Sequence, residues 1–152
     1  MFTYQRGAKG FTLVEIMIVV AIIALIAAIG IPNLLRARHN ANESAAIGNL
    51  HTLVSAMESW RANHNPTSYP LAAEGLAALG SATPPYIDAV LATGTRQGYV
   101  FTYAFGTANT YTLSAVPVTA GVTGTRGFFA NESGVLRASV SGAATVASPA
   151  LD

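Results

Sequence analysis

The chain contains no cysteine among its 152 residues, and it contains few charges. Disulfide bonds and cysteine-ligated metal centres are therefore excluded, and the fold must be held by packing and hydrogen bonds. Asp, Glu, Lys and Arg together make up 10% of the residues, and the formal net charge is +1. Because a nucleic-acid-binding surface needs a strong basic field, nucleic acid is not indicated as a partner.

Motifs for catalysis or for binding a cofactor are also missing. The sequence has no glycine-rich phosphate loop and no nucleophile paired with an orienting base. The histidines are His39, His51 and His64, and the acids of the second half are Asp88, Glu132 and Asp152. His39 and Glu43 are four residues apart, but two ligands make a poor metal site, so both are predicted to be solvated. The three later acids are too few for a calcium loop. The sequence therefore predicts no enzyme, no metal ion and no other cofactor.

One long apolar run dominates the N-terminal part of the chain. Residues 11–31 are apolar apart from Thr12 and Glu15, and Arg6 and Lys9 precede them. As a helix that rises about 1.5 Å per residue, this run is long enough to span the hydrocarbon core of a bilayer. A carboxylate inside such a segment costs about 2.5–3.5 kcal/mol on insertion scales, so Glu15 is expected to have a partner and a function.

Two ordinary explanations fit the run poorly. A secretory signal peptide has an apolar core of about 7–15 residues followed by a cleavage site of small residues. This run is longer, and no Ala-x-Ala site follows it before Arg36 and Arg38. A plain membrane anchor would be more stable without Glu15.

The residues Gly10-Phe11-Thr12-Leu13-Val14-Glu15 and the apolar run after them resemble the N-terminus of type IV pilins and type II secretion pseudopilins. Pro32 lies where many members of this superfamily have a proline. The resemblance covers about the first 35 residues. It implies that a prepilin peptidase cleaves between Gly10 and Phe11 and methylates the new amine of Phe11. It also implies that Glu15 pairs with the Phe11 amine of a neighbouring subunit during assembly.

The resemblance further implies a structural subunit of a type IV pilus-like filament that serves adhesion or motility. Its implied partners are other copies of the chain, minor pilins, the prepilin peptidase, an inner-membrane assembly platform and, before assembly, the lipid bilayer. The precursor would lie in the bacterial inner membrane, and the product would be an extracellular pilus.

Two alternatives stay open. The first is a pseudopilin of a type II secretion system, forming a periplasmic pseudopilus. The sequence lacks the Asp-Pro-Trp-Gly-like segment of major pseudopilins, which favours a pilin, whereas the lack of cysteine favours a pseudopilin. The second alternative is a membrane-anchored binding domain. It would need a convergent polar cluster in residues 64–152, which the sequence does not show.

The apolar pattern predicts how the helix continues beyond the membrane. Gly30 and Pro32 are expected to kink or weaken the helix near the membrane exit. From Asn42 the pattern becomes amphipathic and continues to Asn63, before a helix-breaking cluster at residues 63–66. The face expected to be buried consists of Ile47, Leu50, Leu53, Val54, Met57, Trp60 and Arg61.

In the second half of the chain, the sequence predicts short helices followed by strands. Short helices are expected within residues 71–79 and 86–91. Alternation of Tyr99, Phe101, Tyr103 and Phe105 predicts a strand whose aromatic residues pack in the core rather than form a stacking platform. Hairpin loops are expected near residues 106–110 and 131–134.

The expected fold is therefore α+β, with a long N-terminal helix, transmembrane in its first half, packed against an antiparallel sheet of three or four strands. The expected divisions are a leader (1–10), a transmembrane assembly segment (11–35), a globular head (36–138) and a loosely ordered C-terminal tail (139–152).

Overall fold

The computed structural model of the chain describes residues 10–64 and 67–151. The chain divides into two compact units, residues 1–36 and residues 37–152. Most of the expected leader, part of the helix-breaking cluster and Asp152 lie outside the described residues. Among the described residues, the first unit contains the N-terminal part of helix α1 (Leu13–Asn63), and the second contains the rest of α1 and the other helices and strands.

The second unit is built around the C-terminal half of α1. Leu50, Leu53 and Met57 are fully buried, and Ile47, Val54 and Trp60 pack partly buried against the same core. These residues recur every three or four positions, so they lie on one helix face. The predicted end of the helix at Asn63 is therefore confirmed, and so is the predicted amphipathic face apart from Arg61, which is only half-buried and lies outside the core.

The sheet is an antiparallel meander in the order β1-β2-β3-β4-β5. Its strands are β1 (Thr95–Arg96), β2 (Tyr99–Thr107), β3 (Thr110–Pro117), β4 (Gly127–Asn131) and β5 (Arg137–Ser139). The alternation in β2 is confirmed, because Tyr99 and Phe101 are buried in the core and Tyr103 packs half-buried against it. Phe105 is half-buried, opposite Tyr111 of β3. Core packing therefore accounts for this aromatic row.

The α+β class is confirmed, but the sheet has five strands, where three or four were predicted. The strand that was not predicted is β1, which lies at one edge of the sheet and is only two residues long. A two-residue strand carries no period-two pattern, which explains why the sequence did not reveal it.

Two short helices join α1 to the sheet. Helix α2 (Gly75–Ser81) buries Leu76 and Leu79, as predicted, but it begins later than residue 71 because a turn occupies residues 71–74. Helix α3 (Ala89–Ala92) buries Leu91 and is capped by the side chain of Asp88.

The C-terminal segment is attached to the sheet more closely than its composition predicts. The backbone N–H of Leu151 donates to Leu136 at 2.8 Å, and the N–H of Ala138 donates to Pro149 at 3.0 Å. Ala144 is buried. These are main-chain contacts, to which Ala, Ser and Gly contribute as well as any other residue, so they leave no hydrophobic pattern in the sequence.

Candidate functional site

The N-terminal half of α1 presents apolar side chains in every direction. Its large apolar residues are 49% to 75% exposed between Leu13 and Leu35. The segment is long and apolar enough to cross a membrane. Exposed apolar surface of this extent is unfavourable in water, so the segment requires lipid or other protein chains around it.

Glu15 closes a hydrogen-bonded ring with Thr12 at the start of α1. Its Oε2 atom accepts from the Thr12 backbone N–H at 2.9 Å and from the Thr12 hydroxyl at 2.8 Å, and the Glu15 N–H donates to the Thr12 hydroxyl oxygen at 3.2 Å. This reciprocal arrangement is a capping box, and it satisfies backbone groups that a helix N-terminus otherwise leaves free. The spacing Thr-x-x-Glu was the available signal for the role of Thr12, and the sequence analysis missed it.

One oxygen atom of the Glu15 carboxylate lies outside this ring and can accept further hydrogen bonds. Among the described residues, no hydrogen bond reaches its Oε1 atom. Gly10 and Phe11 precede the helix, and Phe11 is 84% exposed. The structure therefore places a carboxylate with spare acceptor capacity within four residues of an accessible, non-helical Phe11.

The resemblance to pilins implies a filament, and replacing Thr12 with alanine is expected to reduce the yield of this filament several-fold, whereas Thr12→Ser keeps it near normal. Alanine removes both side-chain interactions of the cap, and losing such a cap costs about 0.5–2 kcal/mol of helix stability. Blots of the sheared and cell-bound fractions measure the share of the protein that is present in filaments. Equal yields from the two variants would show that the hydroxyl is not needed.

Gly30 and Pro32 do not end the helix. The assigned helix α1 passes through both positions, and both are exposed. The kink expected there stays a prediction. The exposed Arg36 and Arg38 follow this stretch, and neither forms an ion pair within the described residues.

The prediction that Glu43 is solvated is wrong. Glu43 is 8% exposed, and its Oε1 atom accepts from the backbone N–H of Thr125 at 3.0 Å, the Thr125 hydroxyl at 3.1 Å and the backbone N–H of Arg126 at 3.2 Å. Its Oε2 atom lies 4.0 Å from Nε of Arg126. The donors lie 82 and 83 residues further along the chain, so no local pattern around Glu43 signals them.

Several contacts near Glu43 attach the loop between β3 and β4 to the rest of the second unit. The Asn42 side chain donates to the Thr123 carbonyl at 2.8 Å, and the Tyr99 hydroxyl donates to the Arg126 carbonyl at 2.9 Å. Burial alone would raise the pKa of Glu43, but the hydrogen bonds from Thr125 and Arg126 and the Arg126 charge outweigh it, so the pKa lies below its ordinary value.

The other titratable residues do not converge on a metal site. Within residues 10–64 and 67–151, no three histidine, aspartate or glutamate side chains are grouped to hold a metal ion. The Nδ1 atom of His64 donates to the Trp60 carbonyl at 2.9 Å, and the ring stacks on that of Trp60, with centroids 3.8 Å apart. Asp88 caps α3 and pairs with Arg96.

Comparison with known proteins places these features in a family. Residues 5–31 match the family described as the prokaryotic N-terminal methylation motif. The type IV wide pilus major component PilA4 of Thermus thermophilus is 38% identical over 96 residues, which cover 62% of this chain and 72% of that protein. The type II secretion system core protein G of Escherichia coli is 32% identical over 93 residues, covering 60% and 61%.

A third relative matches over a shorter stretch. The type IV major pilin protein PilA of Myxococcus xanthus is 48% identical over 52 residues, which cover 34% of this chain and 24% of that protein. No solved structure matches the chain. Two of these relatives are thus a pilus major component and a major pilin, and one is a core protein of a secretion system. Together, the methylation motif, the Thermus relative and the long helix with its antiparallel sheet show that this chain belongs to the superfamily of type IV pilins and type II secretion pseudopilins.

Proposed function

We propose that the chain is a structural subunit of a type IV pilus-like filament, processed at the bond between Gly10 and Phe11 and polymerised through α1. The observation that carries this proposal is Glu15. It is the one carboxylate in an otherwise apolar and largely exposed segment, four residues after the expected new N-terminus. The Thermus relative, 72% of which is covered by this chain, is a pilus major component, which supports the same function.

The chemistry of assembly follows from the cost of isolated charges. Cleavage before Phe11 creates an ammonium group at the edge of the apolar segment, and methylation keeps its positive charge. In hydrocarbon, both this ammonium and the Glu15 carboxylate are unfavourable unless paired. Within one copy, Thr12 already occupies Oε2 of Glu15, whereas no hydrogen bond from the described part of the chain reaches Oε1. Oε1 can therefore accept from the Phe11 ammonium of a neighbour. Only a neighbour in the correct register brings its ammonium to that position.

The same proposal assigns partners and compartments. The precursor lies in the bacterial inner membrane with its leader in the cytoplasm, where a prepilin peptidase cleaves it and methylates Phe11. An inner-membrane platform then adds each copy to the base of the filament. Apolar side chains of residues 13–35 leave the lipid and pack against those of other copies, with minor pilins as further partners.

Intact-mass measurement of the chain from cells tests the processing step. The expected mass is that of residues 11–152 plus one methyl group, in both membranes and sheared surface filaments. The reason is that cleavage and methylation precede assembly. A mass that retains residues 1–10 in every fraction, in cells with an active peptidase, would leave a plain membrane-anchored domain.

The second candidate is a type II secretion pseudopilin, which is favoured by the relatives named as core protein G. The chain spans 51% to 61% of the length of the first three of these relatives, compared with 72% of the Thermus pilus component. The two candidates predict different locations for the same processed mass. A pilus subunit is abundant in the sheared surface fraction, whereas a pseudopilin is confined to the cell envelope.

A further inference from the structure

A cavity of about 590 Å³ opens in the second unit, between the end of α1 and the segment that follows α2. Trp60, Asn63 and His64 border it on one side, and Thr83 and Tyr86 border it on the other. Its volume lies within the range of about 300–1,000 Å³ that is usual for small-molecule sites. The described residues that line the cavity all belong to the second unit, so it is formed within a single copy of the chain.

Three aromatic rings form the walls of this cavity. Trp60 stacks on His64 with centroids 3.8 Å apart, and it meets Tyr86 in an edge-on arrangement with centroids 5.8 Å apart. All three side chains are half-buried, and Trp60 and Tyr86 also pack against the core. Because the rings hold one another in place, little side-chain entropy is lost when a ligand packs against them.

Polar groups with unused hydrogen-bonding capacity lie beside these rings. The Nδ1 atom of His64 donates to the Trp60 carbonyl at 2.9 Å, and the side-chain amide of Asn63 donates to a carbonyl of the preceding helical turn at 2.8 Å. The remaining ring nitrogen and the amide oxygen form no hydrogen bond within residues 10–64 and 67–151, and neither do the hydroxyls of Thr83 and Tyr86. Four polar groups are therefore left for a ligand, and the Asn63 oxygen among them is a fixed acceptor.

The charge of the lining selects the class of ligand. No Asp, Glu, Lys or Arg is found among the described residues that line the cavity. A charged ligand would lose its hydration there without gaining a counter-charge, so the site favours a neutral one. Aromatic rings pack against apolar C–H groups, and the polar groups beside them bind hydroxyls. A hexose ring carries both, since its C–H groups form an apolar face and its hydroxyls lie around the rim.

We propose that this cavity binds a neutral hexose unit of a glycan, an activity that goes beyond the proposed function and does not depend on it. The C–H face of the sugar packs against the aromatic walls. Its hydroxyls donate to Asn63 and bond to His64 and Tyr86.

The single tryptophan of the chain borders the cavity, so its fluorescence reports on binding. The full chain is kept in a polyoxyethylene detergent, which has no sugar headgroup, and is titrated with the methyl glycosides of glucose, galactose and mannose. At least one of these sugars is expected to change the emission of Trp60 in a saturable way at millimolar concentrations. In saturation-transfer NMR, the C–H protons of the same sugar are expected to receive magnetisation from the protein.

Two variants test the assignment of the residues. Asn63→Ala removes the fixed acceptor and keeps Trp60 as the reporter, so it is expected to weaken binding of that sugar about tenfold. Tyr86→Ala removes an aromatic wall and is expected to weaken binding at least as much. The matched control is Asn40→Ala, because Asn40 is also an exposed asparagine of α1 and its side chain forms no hydrogen bond with the described residues. This control should bind the sugar as the parent chain does.

The outcomes separate this inference from the proposed function. The site is overturned if none of the three sugars gives a saturable signal by either method, or if Asn63→Ala and Tyr86→Ala both bind like the control. An equally strong response to choline chloride overturns it too, because it would show a site for cations. A chain that forms filaments but binds no sugar leaves the proposed function intact, whereas a chain that binds the sugar but is never processed or assembled contradicts the proposed function alone.

Discussion

Replacing Glu15 with alanine is expected to leave the chain in the membrane and to reduce filament yield at least a hundredfold. Alanine removes a carboxylate whose insertion costs about 2.5–3.5 kcal/mol, so insertion becomes easier. Assembly becomes harder, because the Phe11 ammonium of each added copy loses its counter-charge in a medium of low dielectric constant. A loss of about 3 kcal/mol lowers the association constant of every added copy about a hundredfold.

The measurement compares the amount of the protein in washed membranes with the amount in sheared filaments. Glu132→Ala is a suitable control, because Glu132 is also an exposed acid and takes part in no hydrogen bond or ion pair among the described residues. It should keep normal yield. Glu15→Gln separates charge from hydrogen bonding, since it preserves the shape of the side chain and can still accept from Thr12. A low yield from Glu15→Gln supports the charge pair, whereas normal yield from Glu15→Ala would falsify it.

Much of the fold was predictable, because its elements repeat their apolar residues at the period of the element. Leu50, Leu53 and Met57 follow the helical period, and Tyr99 and Phe101 follow the strand period, so the burial of both sets could be read from the sequence. Glu15 was conspicuous for a related reason. A single charge in a long apolar run contradicts its surroundings, and such contradictions mark functional residues.

The parts that escaped prediction depend on partners distant in sequence. Glu43 resembles a solvated helix residue until Thr125 and Arg126 approach it from the β3–β4 loop. The strand β1 and the C-terminal segment are held by main-chain hydrogen bonds, which do not select side-chain types.

Replacing Glu43 with alanine is expected to destabilise the folded second unit by about 2–4 kcal/mol. The substitution leaves the backbone N–H groups of Thr125 and Arg126 without their acceptor, and hydrogen bonds to a charged group contribute about 1.5–3 kcal/mol each. Unfolding by denaturant of the full chain in detergent measures the change. Trp60 is the single tryptophan and stacks on His64, so its fluorescence reports the unfolding of this unit. Glu132→Ala, an exposed acid outside the contact, is expected to change stability by less than about 0.5 kcal/mol.

The pH dependence of stability identifies the charge of Glu43 as the cause. Its pKa is held below the ordinary value of 4.5, so the folded state binds fewer protons than the unfolded state as the solution is acidified. The stabilisation is therefore fully present above about pH 4.5 and is lost as the pH falls through the lower pKa of the folded state. In Glu43→Gln, stability at neutral pH should be lower and its decrease on acidification smaller. A residual decrease should persist, because hydrogen bonding to Leu91 and pairing with Arg96 also lower the pKa of Asp88. If the stability of Glu43→Gln falls on acidification as steeply as that of the parent chain, Glu43 stabilises the loop by packing and not by its charge.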